Sequence, residues 1–125
     1  MTVLLDSWIW IEYWRGSKNA DKAGSYIESS EEAIVSSINL AEIYFWILRQ
    51  YGQKEAESKK RILEKRCFIV NLDPDIAVEA AKIKHDRKMA LADSIVLATA
   101  IKSNTKVVTG DPDFEGSKEV IFIGD

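Results

Sequence analysis

Four carboxylates of the 125-residue chain stand beside short apolar runs. Asp6 directly follows Val3-Leu4-Leu5, and Asp111 follows Val107-Val108-Thr109 by two residues. Glu42 lies one turn into the segment after Ile34-Val35, and Asp93 opens Ala92-Asp93-Ser94-Ile95-Val96-Leu97-Ala98. Carboxylates brought within about 4–6 Å of one another raise each other's pKa unless a cation compensates. An oxygen-only cluster suits Mg²⁺ or Mn²⁺. Such ions clamp phosphate oxygens and acidify water. The rest of the inventory narrows the chemistry in the same direction. One histidine, His85, and one cysteine, Cys67, exclude a disulfide framework, a structural zinc site and two-histidine nuclease chemistry. His85 stands in the charged run Lys82-Ile83-Lys84-His85-Asp86-Arg87-Lys88, a poor place for a buried base.

Each acid taken alone has an ordinary structural explanation. Asp6 could cap the next helix. Glu42, three residues after Asn39, could complete a capping box. Asp93 sits in a first helical turn, where the macrodipole favours an acid. Asp111 lies in the turn composition Thr109-Gly110-Asp111-Pro112-Asp113-Phe114. Their convergence therefore depends on the elements that carry them.

Short continuous apolar runs at 3–5, 33–36, 67–70, 106–109 and 120–123 read as buried strands. Helical segments separate them at 7–15 (closed by Gly16), from 19 or 21 to 28, 37–51 (closed by Gly52), 54–66, 74–88 (opened by Asp73-Pro74) and 91–103. Strands alternating with helices predict a parallel sheet covered on both faces, a small three-layer α/β/α domain. In such sheets ligands bind at the carboxyl ends of the strands, where Asp6 and Asp111 fall; a helix start after a crossover can lie at the same edge, so Glu42 and Asp93 could converge with them. No phosphate-binding loop or dinucleotide fingerprint is present.

Bulk properties agree with one domain spanning 1–125: 46% hydrophobic, 30% charged, two prolines and no linker-like stretch. No apolar run approaches the roughly 20 residues needed to span a bilayer. The opening residues lack a basic segment ahead of an apolar core, so a cytoplasmic protein without membrane association is expected. The net charge of −3 is uneven: residues 54–88 carry +3 and the remainder −6. A basic central third can meet a polyanion locally, although basic runs are more often solvated helix faces.

The chain resembles the PIN domain, specifically the short stand-alone VapC type of toxin–antitoxin ribonuclease. Four motifs carry the resemblance, in order: Val3-Leu4-Leu5-Asp6-Ser7, Val35-Ser36-Ser37-Ile38-Asn39-Leu40-Ala41-Glu42-Ile43, Leu91-Ala92-Asp93-Ser94-Ile95-Val96-Leu97-Ala98-Thr99-Ala100 and Val107-Val108-Thr109-Gly110-Asp111-Pro112-Asp113-Phe114. The resemblance implies a five-stranded parallel sheet in the order 3-2-1-4-5. It also implies a Mg²⁺- or Mn²⁺-dependent endoribonuclease that cleaves structured RNA with cation-activated water. Asp6, Glu42, Asp93 and Asp111 become the metal-binding acids, Thr109 the hydroxyl that orients an acid or the water, and Asp113 an outlying assistant. Expected products carry a 5′-phosphate and a 3′-hydroxyl. Expected partners are an RNA substrate, a VapB-type antitoxin and a second copy of the chain.

Other segments acquire roles in that light. Trp8, Trp10 and Trp14 crowd the first helix, whose apolar character all round implies cover beyond the sheet. They are candidate partner contacts, and Tyr44, Phe45, Trp46 and Ile47 raise the same possibility for the third helix, as a homodimer surface. Arg15, Lys84, Arg87 and Lys88 are candidate RNA phosphate contacts, as are Lys59-Lys60-Arg61 with Lys65-Arg66. Two other functions fit less well. A PIN nuclease of RNA processing or quality control would share the site. A phosphoacceptor signalling domain would need an acid pair after the first strand and a lysine after the fifth, and both are missing.

Overall fold

The computed structural model describes all residues from Met1 to Asp125. Five parallel strands, β1 (Val3–Leu5), β2 (Ala33–Ser36), β3 (Phe68–Val70), β4 (Lys106–Thr109) and β5 (Val120–Phe122), form one sheet in the order β3-β2-β1-β4-β5. The expected strand order is the observed one. Six helices surround the sheet: α1 (Ser7–Arg15), α2 (Ala20–Ile27), α3 (Ser37–Tyr51), α4 (Gln53–Arg66), α5 (Pro74–Arg87) and α6 (Leu91–Lys102). No helix is long and apolar enough to cross a membrane.

The apolar runs divide between two cores because successive strand residues point to opposite faces. Val3 and Leu5 of β1, Ala33 and Val35 of β2, and Val108 of β4 join Ile9, Trp10, Ile43, Ile47 and Leu63 from α1, α3 and α4. Leu4, Ile34 and Val107 face the other way, against Ile76, Ala80 and Ile83 of α5 and Ile95 to Ala98 of α6. Helix α6 is buried from Ser94 to Ala100. The two hydroxyl side chains of this buried stretch, Ser94 and Thr99, donate to backbone carbonyls one turn back, at Ala90 (2.9 Å) and Ile95 (2.7 Å), so no unpaired hydroxyl enters the core.

The helix ends follow their sequence signals. Gly16 closes α1 in the left-handed region (φ 67°). The Asp73 side chain accepts from the Ile76 N–H at 2.8 Å and Pro74 occupies the first turn of α5. Three details differ from expectation. Cys67 precedes β3 and follows α4 directly, accepting burial rather than pairing. The capping box of α3 is Ser36 with Asn39, which leaves Glu42 free of any capping duty. Half of the basic side chains at 54–66 are occupied: Lys59 and Lys60 pair with Glu55 and Glu64, and Arg66 donates to the carbonyls of Ile27 and Tyr26.

The tryptophans of α1 also separate. Trp10 is fully buried in the first core, which corrects its expected place at a partner surface. It faces the sheet, and its position next to Ile9 on the inward side of α1 leaves nothing exposed. Trp14 packs against it with the rings tilted by 40° and their centroids 5.3 Å apart, and remains half-buried. Trp8, also half-buried, packs its ring against Gly110, at the corner where β4 ends. A β-carbon on Gly110 would overlap the Trp8 ring. Gly110→Ala is therefore expected to lower the stability by about 1–3 kcal/mol, the usual cost of overpacking. Urea denaturation followed by tryptophan fluorescence measures it, and an unchanged midpoint would contradict this packing.

Candidate metal centre

The carboxyl ends of the two central strands place the first residues of the site. Asp6 follows β1 in extended geometry (φ −63°, ψ 161°) and α1 begins at the next residue, so its side chain stays at the sheet edge. It makes no capping bond to α1. Instead, Thr109 at the end of β4 donates its hydroxyl to Asp6 Oδ2 at 2.7 Å, and the Asn39 amide donates to Asp6 Oδ1 at 3.1 Å. Thr109 in turn accepts the Asp111 N–H at 3.0 Å. One hydroxyl thus holds an acid on one strand and the backbone after its neighbour.

Asp111 and Asp113 enter through the turn after β4. Pro112 starts a single 3₁₀ turn (Pro112–Phe114), and Asp111 Oδ1 accepts the Asp113 N–H at 3.0 Å. Asp93 comes from the first turn of α6, half-buried and free of capping duty. One carboxylate oxygen from each of Asp93, Asp111 and Asp113 lies within 4.8 Å of the others. Asp113, expected at the periphery, thereby stands beside the principal acids. Glu42 lies on the exposed side of α3 and accepts the Ser7 hydroxyl at 2.7 Å.

The electrostatics record the crowding. Burial pushes the Asp6 carboxyl up from 3.8 to about 7; the Thr109 hydroxyl opposes this, while Glu42 and Asp111 add to it. Burial also pushes Asp93 up, to about 6, with Asp111, Asp113 and Glu42 contributing in that order. Glu42 and Asp111 act on both, which ties the two halves of the site together. A set of oxygen donors, crowded and partly buried, with no cationic side chain hydrogen-bonded to any of the four principal acids, fits a hard divalent cation.

The basic candidates occupy different settings. Arg87 and Lys88 line a cleft of about 300 Å³ with Met89, Ala90, Asp93 and Asp113, so both border the acids. Arg87 is held there by two bonds to Glu119, at 3.0 and 3.1 Å. Lys88 ends α5 in the left-handed region (φ 56°). Lys84 shares a second cleft with His85, Lys88 and Leu91 and donates to the Met89 carbonyl at 3.2 Å. Arg15 is bound to Glu12, at 2.6 Å, rather than to any acid of the cluster. His85 is exposed beside Asp86.

Ser7 and Asn39 were not singled out from sequence as site residues. One signal was available: Asn39, Ile43 and Ile47 are spaced by four, so Asn39 lies on the buried stripe of α3, where a polar group must find partners.

The chain belongs to the PIN domain family, whose model matches residues 3–118. No curated protein matches the chain. Among solved structures, a toxin–antitoxin complex from Klebsiella pneumoniae is similar at 23% identity, with 95% of each chain covered and a TM-score of 0.79. VapC20 of Mycobacterium tuberculosis, described as a sarcin–ricin loop cleaving toxin, is similar at 17% identity, with 98% of each chain covered and a TM-score of 0.79. VapBC2 of Rickettsia felis, bound to promoter DNA, is similar at 17% identity, covering 99% of this chain and 98% of that one, with a TM-score of 0.76. At these identities the likeness shows the fold.

The raised carboxyl groups set a pH dependence. A group whose pKa is higher in the folded chain than in the unfolded one retains its proton on folding. Between about pH 4 and 7, folding then takes up protons at Asp6 and Asp93, so the cation-free protein loses stability as pH rises through that window. The lowered groups, such as Glu12 and Asp73, act below their ordinary values, under pH 5. The unfolding temperature in EDTA is therefore expected to fall from pH 5 to pH 8. Asp93→Asn, which removes a disfavoured charge, should raise it at pH 8 by roughly a few degrees. Thermal unfolding checks both; a rising profile, or a destabilised Asp93→Asn, would contradict the electrostatics.

Proposed function

We propose that this PIN domain is a divalent-cation-dependent endoribonuclease and the toxin of a toxin–antitoxin pair. The observation that carries the nuclease reading is the cluster of Asp93, Asp111 and Asp113, to which Asp6 and Glu42 are coupled electrostatically. Asp6, Asp93 and Asp111 would hold Mg²⁺ or Mn²⁺, with Glu42 completing the set and Asp113 beside it. The cation supplies positive charge for phosphate oxygens and acidifies water, chemistry that needs no histidine base.

The chain's own residues do the remaining work. Thr109 and Asn39 hold the two oxygens of Asp6 and favour its charged form. Arg87 and Lys88, on the wall of the same cleft, offer contacts to the phosphates flanking the scissile bond. Arg87 is already oriented by Glu119, so little side-chain freedom is lost when RNA arrives. Hydrolysis by water leaves a 5′-phosphate and a 3′-hydroxyl, since the 2′-oxygen takes no part.

The toxin reading is supported by the toxin–antitoxin neighbours and by apolar surface on the helices. Leu40, Ala41, Tyr44, Phe45 and Leu48 of α3 line a groove of about 430 Å³ beside Glu57 and Lys60 of α4. Phe45 and Tyr51 are each 59% exposed, a surface that an antitoxin segment or a second copy would cover. Half-buried Trp8 and Trp14 are candidates on α1.

Sequencing RNA ends after controlled expression tests the activity. The unaltered chain is expected to create new 5′-phosphate ends at discrete positions, and Asp6→Asn none, with a rate loss of roughly 100-fold or more. An unchanged RNA population, or ends that persist in Asp6→Asn, would refute it.

A further inference from the structure

The hydrogen bonds that join Asp6 to Glu42 have a direction set by a group that can only donate. The backbone N–H of Ser36 donates to Asn39 Oδ1 at 2.9 Å. The other end of the Asn39 amide is therefore its nitrogen. That nitrogen donates to Asp6 Oδ1 at 3.1 Å and to Ser7 Oγ at 3.0 Å. The Ser7 hydroxyl, already accepting, has one proton and places it on Glu42 Oε1 at 2.7 Å. Asn39 is fully buried and Ser7 is 7% exposed, so the link runs mostly out of water. Glu42, by contrast, lies on the exposed side of α3, where a long side chain samples several rotamers.

We infer that Ser7 is a positioning residue, which, pinned by Asn39, sets the Glu42 carboxylate in a fixed place relative to Asp6 before a cation binds. The inference rests on the divalent-cation reading of the site given above. The hydroxyl touches no reacting atom and acts through Glu42. It converts an exposed, mobile acid into a preorganised one.

Calorimetric titration of the full chain with Mn²⁺ alone tests this. Ser7→Ala is expected to weaken Mn²⁺ binding by about 10-fold or more, the usual cost of losing a residue that orients a ligand. Ser7→Cys, similar in size but a weak donor, should lose a comparable amount. Ser7→Thr keeps a hydroxyl on the same carbon and is expected to restore binding. In a Glu42→Gln background, Ser7→Ala should cost less than about twofold more, because the two changes remove one function. A merely structural serine would lower the unfolding temperature and leave the Mn²⁺ isotherm and its coupling to Glu42 unmoved. Unchanged affinity in both Ser7→Ala and Ser7→Cys, or a full loss that persists in Glu42→Gln, overturns the inference and leaves the cation site standing. Failure of the unaltered chain to bind Mn²⁺ overturns both.

Discussion

Asp6 is a carboxylate held almost out of water at the end of a central strand, with other acids facing it. Burial and repulsion both disfavour its charge. The surrounding structure counters this with two donors, the Thr109 hydroxyl and the Asn39 amide, one on each oxygen. Each donor is itself fixed, Thr109 by the Asp111 N–H and Asn39 by the capping box of α3. β1, β4 and α3 are thereby locked together at the point where the acids meet. A deep hydrophobic sheet with a core on each face supplies the rigidity that such an arrangement requires.

The same constraint accounts for how the acids are divided. Asp6 is buried with one donor on each oxygen, Asp93 is half-buried, and Glu42 and Asp113 are exposed. The most buried acid anchors the site, and the others approach from α3, from the start of α6 and from the turn after β4, which the Asp111 carboxylate itself helps to close. On the proposed reading a cation neutralises this charge, and the absence of a competing lysine or arginine bond on the four principal acids keeps their oxygens available. The basic side chains that do border the cleft, Arg87 and Lys88, line it together with Asp93 and Asp113.

Much of the fold was legible because its signals are local. Short apolar runs, Gly16 and Gly52 after helices, and Asp73-Pro74 before one mark the elements to within a residue or two. The strand order came from the resemblance, since composition does not encode it. Within the site, Asp6 and Asp111 were legible as acids just past strands. The link from Asn39 through Ser7 to Glu42 was not, because it spans residues more than 30 apart and depends on which helix face is buried. Trp10 and Trp14 were indistinguishable for a similar reason: a helix apolar on every side does not announce which face meets the sheet.

A cation held by the acids around Asp6 and Asp93 can be located directly. Anomalous-difference density from crystals of the protein grown with Mn²⁺ should show a peak among the carboxylates of Asp6, Asp93 and Asp111. That peak should be lost in Asp93→Asn crystals. A map with no peak there, or with Mn²⁺ bound only at acids elsewhere on the surface, would contradict the account.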